Sequence, residues 1–267
     1  MDDVSTVYGP VASWRLGRSL GVDLLCVNSV CSFRCVYCQL GQINVHTTER
    51  RVFVPTARVV SHLRASAWRE AEVITFSGSG EPTLAANLGE AVRAAGELTG
   101  KPVVVLTNSA HLRDARVRRD LAAASQVFCK LDAAGAETFG ALNRPAGGLT
   151  LGAVVEGVTR LRAEYAGRLA VQTMLVRGRV PPVAEFARLL DEIRPDEVQL
   201  NKPSRPVPRL WTPAARGNDA PRAARAVPFS PLPAAEAARF AADLRRLTGL
   251  PVLAHPQLGL DEAARAE

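Results

Sequence analysis

Three features of this 267-residue sequence predict an α/β fold, an incomplete (β/α) barrel around a polar cavity. Short β-branched runs alternate with Ala/Leu/Arg/Glu-rich segments of helical spacing about six times, the signature of a parallel sheet with covering helices. Several runs carry polar residues at every second position, whereas parallel strands buried on both faces are usually apolar throughout. A loop crowded with cysteines follows the first run, where barrels of this kind gather their sites.

The runs, in order, are Gly21–Asn28, Glu72–Ser77, Pro102–Asn108, Gln126–Asp132, Leu169–Val176 and Glu197–Asn201. The helical segments are Ala57–Glu70, Asn87–Leu98, Leu112–Ala124, Thr150–Tyr165 and Val183–Ile193. The polar stripe comprises Thr75 and Ser77, Lys130 and Asp132, Gln172, and Gln199 and Asn201. Because alternate strand residues share a face, these side chains would line one wet interior. Between Pro203 and Pro233 eight prolines exclude a continuous helix or central strand. A helix at Ala234–Leu247 and an apolar run at Pro251–Ala254 follow, then a polar tail expected to fray. The division expected is a barrel over residues 1–202, with 1–20 packing on it, and a Pro-rich C-terminal extension over 203–267.

Hydrophobic residues make up 47% of the chain and charged ones 22%, as in ordinary globular proteins. No apolar run is long enough to span a bilayer, and the acidic start MDDVSTVYGP is unlike a secretion signal. Five cysteines, three of them clustered, do not form a secreted disulfide framework; a reducing cytoplasm is expected, with no membrane partner. The net charge of +7 comes from thirty arginines and permits an RNA partner without requiring one. Lysine occurs at Lys101, Lys130 and Lys202 alone. Arginine replaces lysine as a surface charge but not as an amine that deprotonates or forms an imine, so these positions draw interest. Lys130 and Lys202 fall near the C-terminal ends of predicted strands, Lys101 on the opposite rim.

The stretch CSFRCVYCQLGQ holds Cys31, Cys35 and Cys38 in the spacing C-x3-C-x2-C. Three close thiols are one too few for a closed metal site. A [4Fe–4S] cluster ordinarily takes four thiolates, so three would leave one iron open, as a catalytic metal requires. A Cys3His zinc site completed by His46 is the alternative.

CSFRCVYC resembles the C-x3-C-x-φ-C signature of the radical S-adenosylmethionine (radical SAM) enzymes, φ being an aromatic, here Tyr37. YGPVASWRLGRSLGVD, FSGSGEPTL, CKLDA, LNRP and CQLGQ resemble its subgroup of iron–sulfur oxidoreductases related to the tRNA wyosine-synthesis enzymes. The matches run from about Tyr8 to Arg205. The resemblance implies a partial (β/α)6-type barrel with one [4Fe–4S] cluster on Cys31, Cys35 and Cys38. S-adenosylmethionine would chelate the open iron, be cleaved by an incoming electron and yield a 5′-deoxyadenosyl radical that abstracts hydrogen from a substrate. It also implies an electron donor such as flavodoxin or ferredoxin, and tRNA as a candidate partner.

The resemblance assigns the cofactor to Tyr37 and to the turn Gly78, Ser79, Gly80 and Glu81, where Ser79 replaces the family's glycine. Asn108, at a strand end, suits either the cofactor or a helix cap. Lys130 and Asp132 suit either catalysis or a structural ion pair. Arg144 is a candidate for the methionine carboxylate or a substrate anion, and Gln172 for the cavity wall. Lys202 joins Lys130 as a candidate amine, because the wyosine-type relative builds a ring from a small carbonyl compound. Trp14, Arg15 and Arg18 stand where the subgroup usually has paired arginines. Wyosine-forming relatives carry a second cluster, which Cys26 and Cys129 cannot supply; this argues against the wyosine reaction itself. The substrate classes left are RNA, or a small molecule or peptide; the non-catalytic alternative is an iron–sulfur or zinc binding protein.

Overall fold

The computed structural model describes residues 4–26, 28–203, 207–217, 226–227 and 232–258. Eight strands form one sheet: β1 (Val7–Ser13), β2 (Gly17–Val22), β3 (Val73–Phe76), β4 (Val103–Thr107), β5 (Gln126–Lys130), β6 (Arg168–Met174), β7 (Glu197–Asn201) and β8 (Val252–Ala254). Their order across the sheet is their order in the chain. β1 and β2 are an antiparallel hairpin, and every pairing from β2 to β8 is parallel. The sheet curls into a half barrel, as the polar stripe predicts.

Helices α1 (Thr56–Arg64), α2 (Leu88–Thr99), α3 (Ala115–Leu121), α4 (Ala136–Asn143), α5 (Leu151–Glu164), α6 (Val183–Ile193) and α7 (Ala234–Thr248) connect the strands or follow them. Local chemistry fixes their ends. Asp114 caps α3 by accepting from Arg116 N at 2.8 Å, and Thr150 caps α5 by accepting from Ala153 N at 3.1 Å. Gly100 ends α2 in the left-handed region, φ 62°. Fully buried Leu20, Ile74, Phe76, Val105, Val127, Leu169 and Val198 alternate outward from the sheet onto Leu88, Leu121, Val158 and Phe186 of the helices. This layer is the main core.

The inner face is different. Val73, Val104, Phe128 and Ala170, with Leu16 from the β1–β2 turn against them, form a small apolar plug. Beyond it the interior turns polar, with Ser19 and Thr75 hydroxyls 2.7 Å apart and Gln172 in register between Lys130 and Gln199.

Several boundaries differ from the sequence reading. β2 starts at Gly17 and stops at Val22, because Asp23 turns the chain by accepting from Leu25 N at 2.8 Å. The N-terminal segment adds β1 to the sheet edge. α4 is not among the predicted helices: eight residues around Gly140 give too short an apolar stripe. Beyond residue 202, α7 packs on α6, with Phe186 and Phe240 rings 6.2 Å apart, and β8 extends the sheet beside β7. The stretch 207–217 packs on the cysteine loop, Ala215 and Trp211 lying against Leu40, Ile43 and Cys38. Val207–Pro208 and Ala226–Val227 form a strand pair, and residues 204–206, 218–225 and 228–231 of the Pro-rich stretch lie outside the described residues, as does the polar tail.

Candidate active site

After β2 the chain leaves the sheet and folds back on itself, Val30–Cys31 pairing in parallel with Val45–His46. The turn after β3 locks this loop in place. Val30 N donates to Ser79 O at 2.9 Å, and Glu81 N donates to Val30 O at 3.0 Å. Gly80 makes this approach possible: its φ is 153°, and a Cβ there would overlap the Val30 carbonyl oxygen. Gly78 has φ 119° and faces Asp23 in the same way. Gly80→Ala is therefore expected to lose about 1–3 kcal/mol to backbone strain alone, and to lower both the melting temperature and the iron content after reconstitution. Gly140→Ala, with open space around its Cβ, is the control and should leave both unchanged or slightly raised.

Buried carboxylates brace the turn from both sides. Ser79 donates through N and Oγ to Asp23 Oδ2 at 3.1 and 2.6 Å, and Arg216 Nη1 lies 3.2 Å from the same oxygen. Burial pushes the Asp23 carboxyl up, while Ser79 and Arg216 hold it down. Glu81 accepts from Thr83 N and Oγ1, from Thr107 Oγ1 and from Asn108 N, at 2.6–3.1 Å. With four donors taken from the protein, the Glu81 carboxylate ties the turn to the end of β4. Asn108 carries the tie onward: its Nδ2 lies 3.5 Å from Cys31 Sγ and 3.0 Å from Ser32 Oγ.

Cys31, Cys35 and Cys38 are free and half-buried. Amides point at two of the sulfurs. Phe33 N and Asn108 Nδ2 approach Cys31 at 3.4 and 3.5 Å, and Asn143 Nδ2 approaches Cys35 at 3.5 Å. N–H donors of this kind stabilise thiolates and tune clusters bound to them. Burial pushes all three thiols up, Cys35 to about 12 with the Asp132 carboxylate beside it adding to the rise. Ligation must then displace a proton from each. His46 does not join them; its Nε2 lies 3.2 Å from the Ser32 carbonyl oxygen. Cys26 and Cys129 are buried in the main core.

Asp132 is the second anchor. It is buried, accepts from Tyr37 OH, and accepts at 2.8 Å from both Asn143 Nδ2 and Met174 N. Lys130 Nζ lies 3.5 Å from Asp132 Oδ1 and 5.1 Å from the Tyr37 ring centroid. One group of contacts thus joins Tyr37, Lys130, Asp132 and, through Asn143, Cys35.

Tyr37, Cys38 and Gln39 open onto a cavity of about 640 Å³, enough for a nucleoside-sized ligand. Thr75, Ser77, Met174, Asn201 and Lys202 line it too. Gln172 does not, although its Nε2 is buried without a partner. Arg144 lies apart. It ends α4 with φ 46°, is exposed, and lines a separate cavity of about 300 Å³ with Arg34, Cys35 and Val36. Of the wall residues, Tyr8, Ser19, Arg216 and His255 were not singled out from the sequence; His255, one of four histidines, was the most visible.

Residues 25–193 match the Radical SAM superfamily. The chain belongs to the radical SAM superfamily. It is 46% identical over 213 residues to UPF0026 protein slr1464 of Synechocystis sp., covering 79% of this chain and 80% of that one. TYW1 with a lysine–pyruvate adduct bound has the same fold: TM-score 0.63 at 16% identity, over 87% of this chain and 75% of the other. Streptococcus suis SuiB bound to S-adenosylmethionine gives TM-score 0.60 at 13% identity, over 88% and 50%. The cofactors of this radical SAM enzyme are a [4Fe–4S] cluster and S-adenosylmethionine. Free thiols in one loop, amides aimed at two sulfurs and an adjoining cavity fit that pair of groups. Among the described residues no helix is long and apolar enough to cross a membrane.

Proposed function

We propose that this radical SAM enzyme modifies RNA, with tRNA as the substrate to test first. When bound, the cluster and S-adenosylmethionine supply a 5′-deoxyadenosyl radical that abstracts a hydrogen atom. In this reading Cys31, Cys35 and Cys38 hold the iron, and the Gly78–Glu81 turn, Tyr37 and Asn108 shape the cofactor end. Lys202, on the cavity wall, would position substrate or move its protons, while Lys130 and Asp132 do not line the cavity and hold Tyr37 in its wall. The chain's other task is to keep water from the radical. The plug around Phe128 fills the floor, and Trp14 and His255, from opposite ends of the chain, meet edge to face at 5.6 Å.

The observation that carries the RNA reading is the charge on the rim. The segments after β6 and β7 bear Arg177, Arg179, Lys202 and Arg209, with no Asp or Glu among the described residues of 175–182 and 202–217. Arg177, Arg179 and Arg209 are exposed and follow the same strand ends as Lys202 of the cavity wall, and cations gathered there suit a phosphate backbone. The electron would come from an acidic carrier such as flavodoxin or ferredoxin. The smaller cavity supports its approach, since Arg34 and Arg144 flank Cys35 there, apart from the substrate chamber.

The test is the yield of 5′-deoxyadenosine from anaerobically reconstituted enzyme with dithionite, with and without bulk tRNA. The yield should rise with tRNA, and tRNA affinity should fall about 10³-fold or more between 50 and 200 mM salt. Yield and binding both indifferent to tRNA would direct the search to small molecules and peptides.

A further inference from the structure

Arg216 lies beyond the barrel in sequence, yet its side chain is buried in the wall of the large cavity. It ends a short helical turn, Pro213–Arg216, and its Nε donates back to Pro213 O at 2.9 Å. Its Nη1 donates to Ser5 O at 3.0 Å and lies 3.2 Å from Asp23 Oδ2. The guanidinium carbon stands 5.3 Å from the Tyr8 ring centroid. One side chain thus joins the 207–217 stretch to β1, to the segment before it and to the turn after β2.

Two routes lead from Arg216 to the turn after β3. The first runs through Asp23, whose Oδ2 accepts from Arg216 and from both N and Oγ of Ser79. The hydroxyl that this chain carries in place of the family's glycine is therefore spent on the carboxylate that Arg216 neutralises. The second route runs through Tyr8, whose hydroxyl is 2.6 Å from Ser77 Oγ. Tyr8 cannot back away from the guanidinium, because its ring lies on Gly21, where a Cβ would overlap it. The routes converge on Ser77 and Ser79, either side of Gly78.

The same stretch covers the cysteine loop. Gln39 Nε2 donates to Ala215 O at 3.0 Å. Gly41, with φ 72°, admits Pro208 O to a place that a Cβ would fill. Arg216 stands where the cover of the iron-holding loop and the bracing of the cofactor turn meet. Its planar fork fixes direction as well as charge.

We propose that Arg216 is a positioning residue for S-adenosylmethionine: it presets the turn after β3 through Asp23 and Tyr8 while latching residues 207–217 over the cysteine loop. It rests on the reading of the Gly78–Glu81 turn as the cofactor end of the site. A preset turn binds without first being ordered, and loss of the guanidinium restores that ordering cost.

The test is equilibrium dialysis of S-adenosylmethionine against the anaerobically reconstituted enzyme, paired with hydrogen–deuterium exchange over residues 77–83. Arg216→Met should weaken binding at least about 10-fold, the equivalent of 1.4 kcal/mol, and speed exchange in the turn before any cofactor is added. Arg216→Lys keeps a charge beside Asp23 but offers no fork for Ser5 O and Pro213 O together, so it should recover part of the affinity. It also keeps the test open if the methionine variant folds poorly. Arg239→Met, exposed on α7, is the control and should change neither readout. Circular dichroism and iron content establish that each variant is folded and loaded. Wild-type affinity in both Arg216 variants overturns the positioning role. A wild-type turn that saturating S-adenosylmethionine leaves unprotected removes the cofactor reading instead; faster exchange in the variants then supports the latch, and unchanged exchange overturns it.

Discussion

Cys35→Ala should yield a folded protein that takes up almost no iron, lacks the brown absorbance near about 400 nm and forms 5′-deoxyadenosine at background level. The reason is geometric. Cys35 belongs to a loop whose two ends are pinned elsewhere, by Ser79 and Glu81 on Val30 and by Leu142 O accepting from Val36 N at 2.9 Å. Neither pin uses the thiol, so its loss leaves the loop in place but deprives one iron of its ligand. Cys129→Ala is the matched control. That thiol sits in the main core, where burial pushes it up to about 12, and its removal should cost stability but not iron. Full iron loading of the Cys35 variant would end the assignment of the cluster to this loop.

Asp132→Ala should cost about 3–5 kcal/mol of folding stability, the usual range when one partner of a buried ion pair is removed. It strands Tyr37 OH, Asn143 Nδ2 and the Met174 amide together with the Lys130 ammonium. Urea unfolding of the apoprotein reads this directly. Adding Lys130→Met to the aspartate variant should recover part of the loss, because the ammonium is no longer left without its carboxylate; the double-mutant cycle isolates that coupling. A loss under about 1 kcal/mol would mean the pair contributes little and that the cluster of contacts around Tyr37 is held by other means. Asn143 gives a second consequence. Released from Asp132, its amide no longer has a fixed direction toward Cys35, so the reduction potential of the loaded enzyme should shift even where iron content is kept.

The fold was legible because its pattern is local. β-branched runs such as VVVLT and VITF, and the periodic segment VAEFARLLDEI, state their own conformation, and the alternating polar residues mark the inner face. The cysteine loop was legible from spacing alone. What escaped was whatever depends on distant pairing. α4 is short, and β1 joins the sheet through a hairpin whose register is set by the partner strand. Glu81 reads in sequence as a cofactor contact, whereas its carboxylate is spent on Thr83, Thr107 and Asn108, two of them on the next strand and its end. Arg144 reads as a cavity residue because it follows β5, yet the left-handed turn after α4 carries it to the other side of the cysteine loop. His255 lacks a motif, and its neighbour Trp14 is 241 positions away by the sequence numbering. Fold class follows from short-range periodicity; a chamber wall assembled from both chain ends does not.

Because strand order equals chain order, the seam of the half barrel runs between the first strand and the last. Trp14 and Arg15 stand on one lip of that seam and His255 on the other, with Lys202 one strand in. Every residue argued to hold iron falls between Cys31 and Asn143. Substitutions in the β1–β2 turn or after β8 would therefore rewrite the chamber wall at a distance from the cysteine loop, whereas the stretch 207–217 packs on that loop and cannot be exchanged without touching it. The two lips of the seam are thus the part of the wall that can vary most independently of the iron-holding loop.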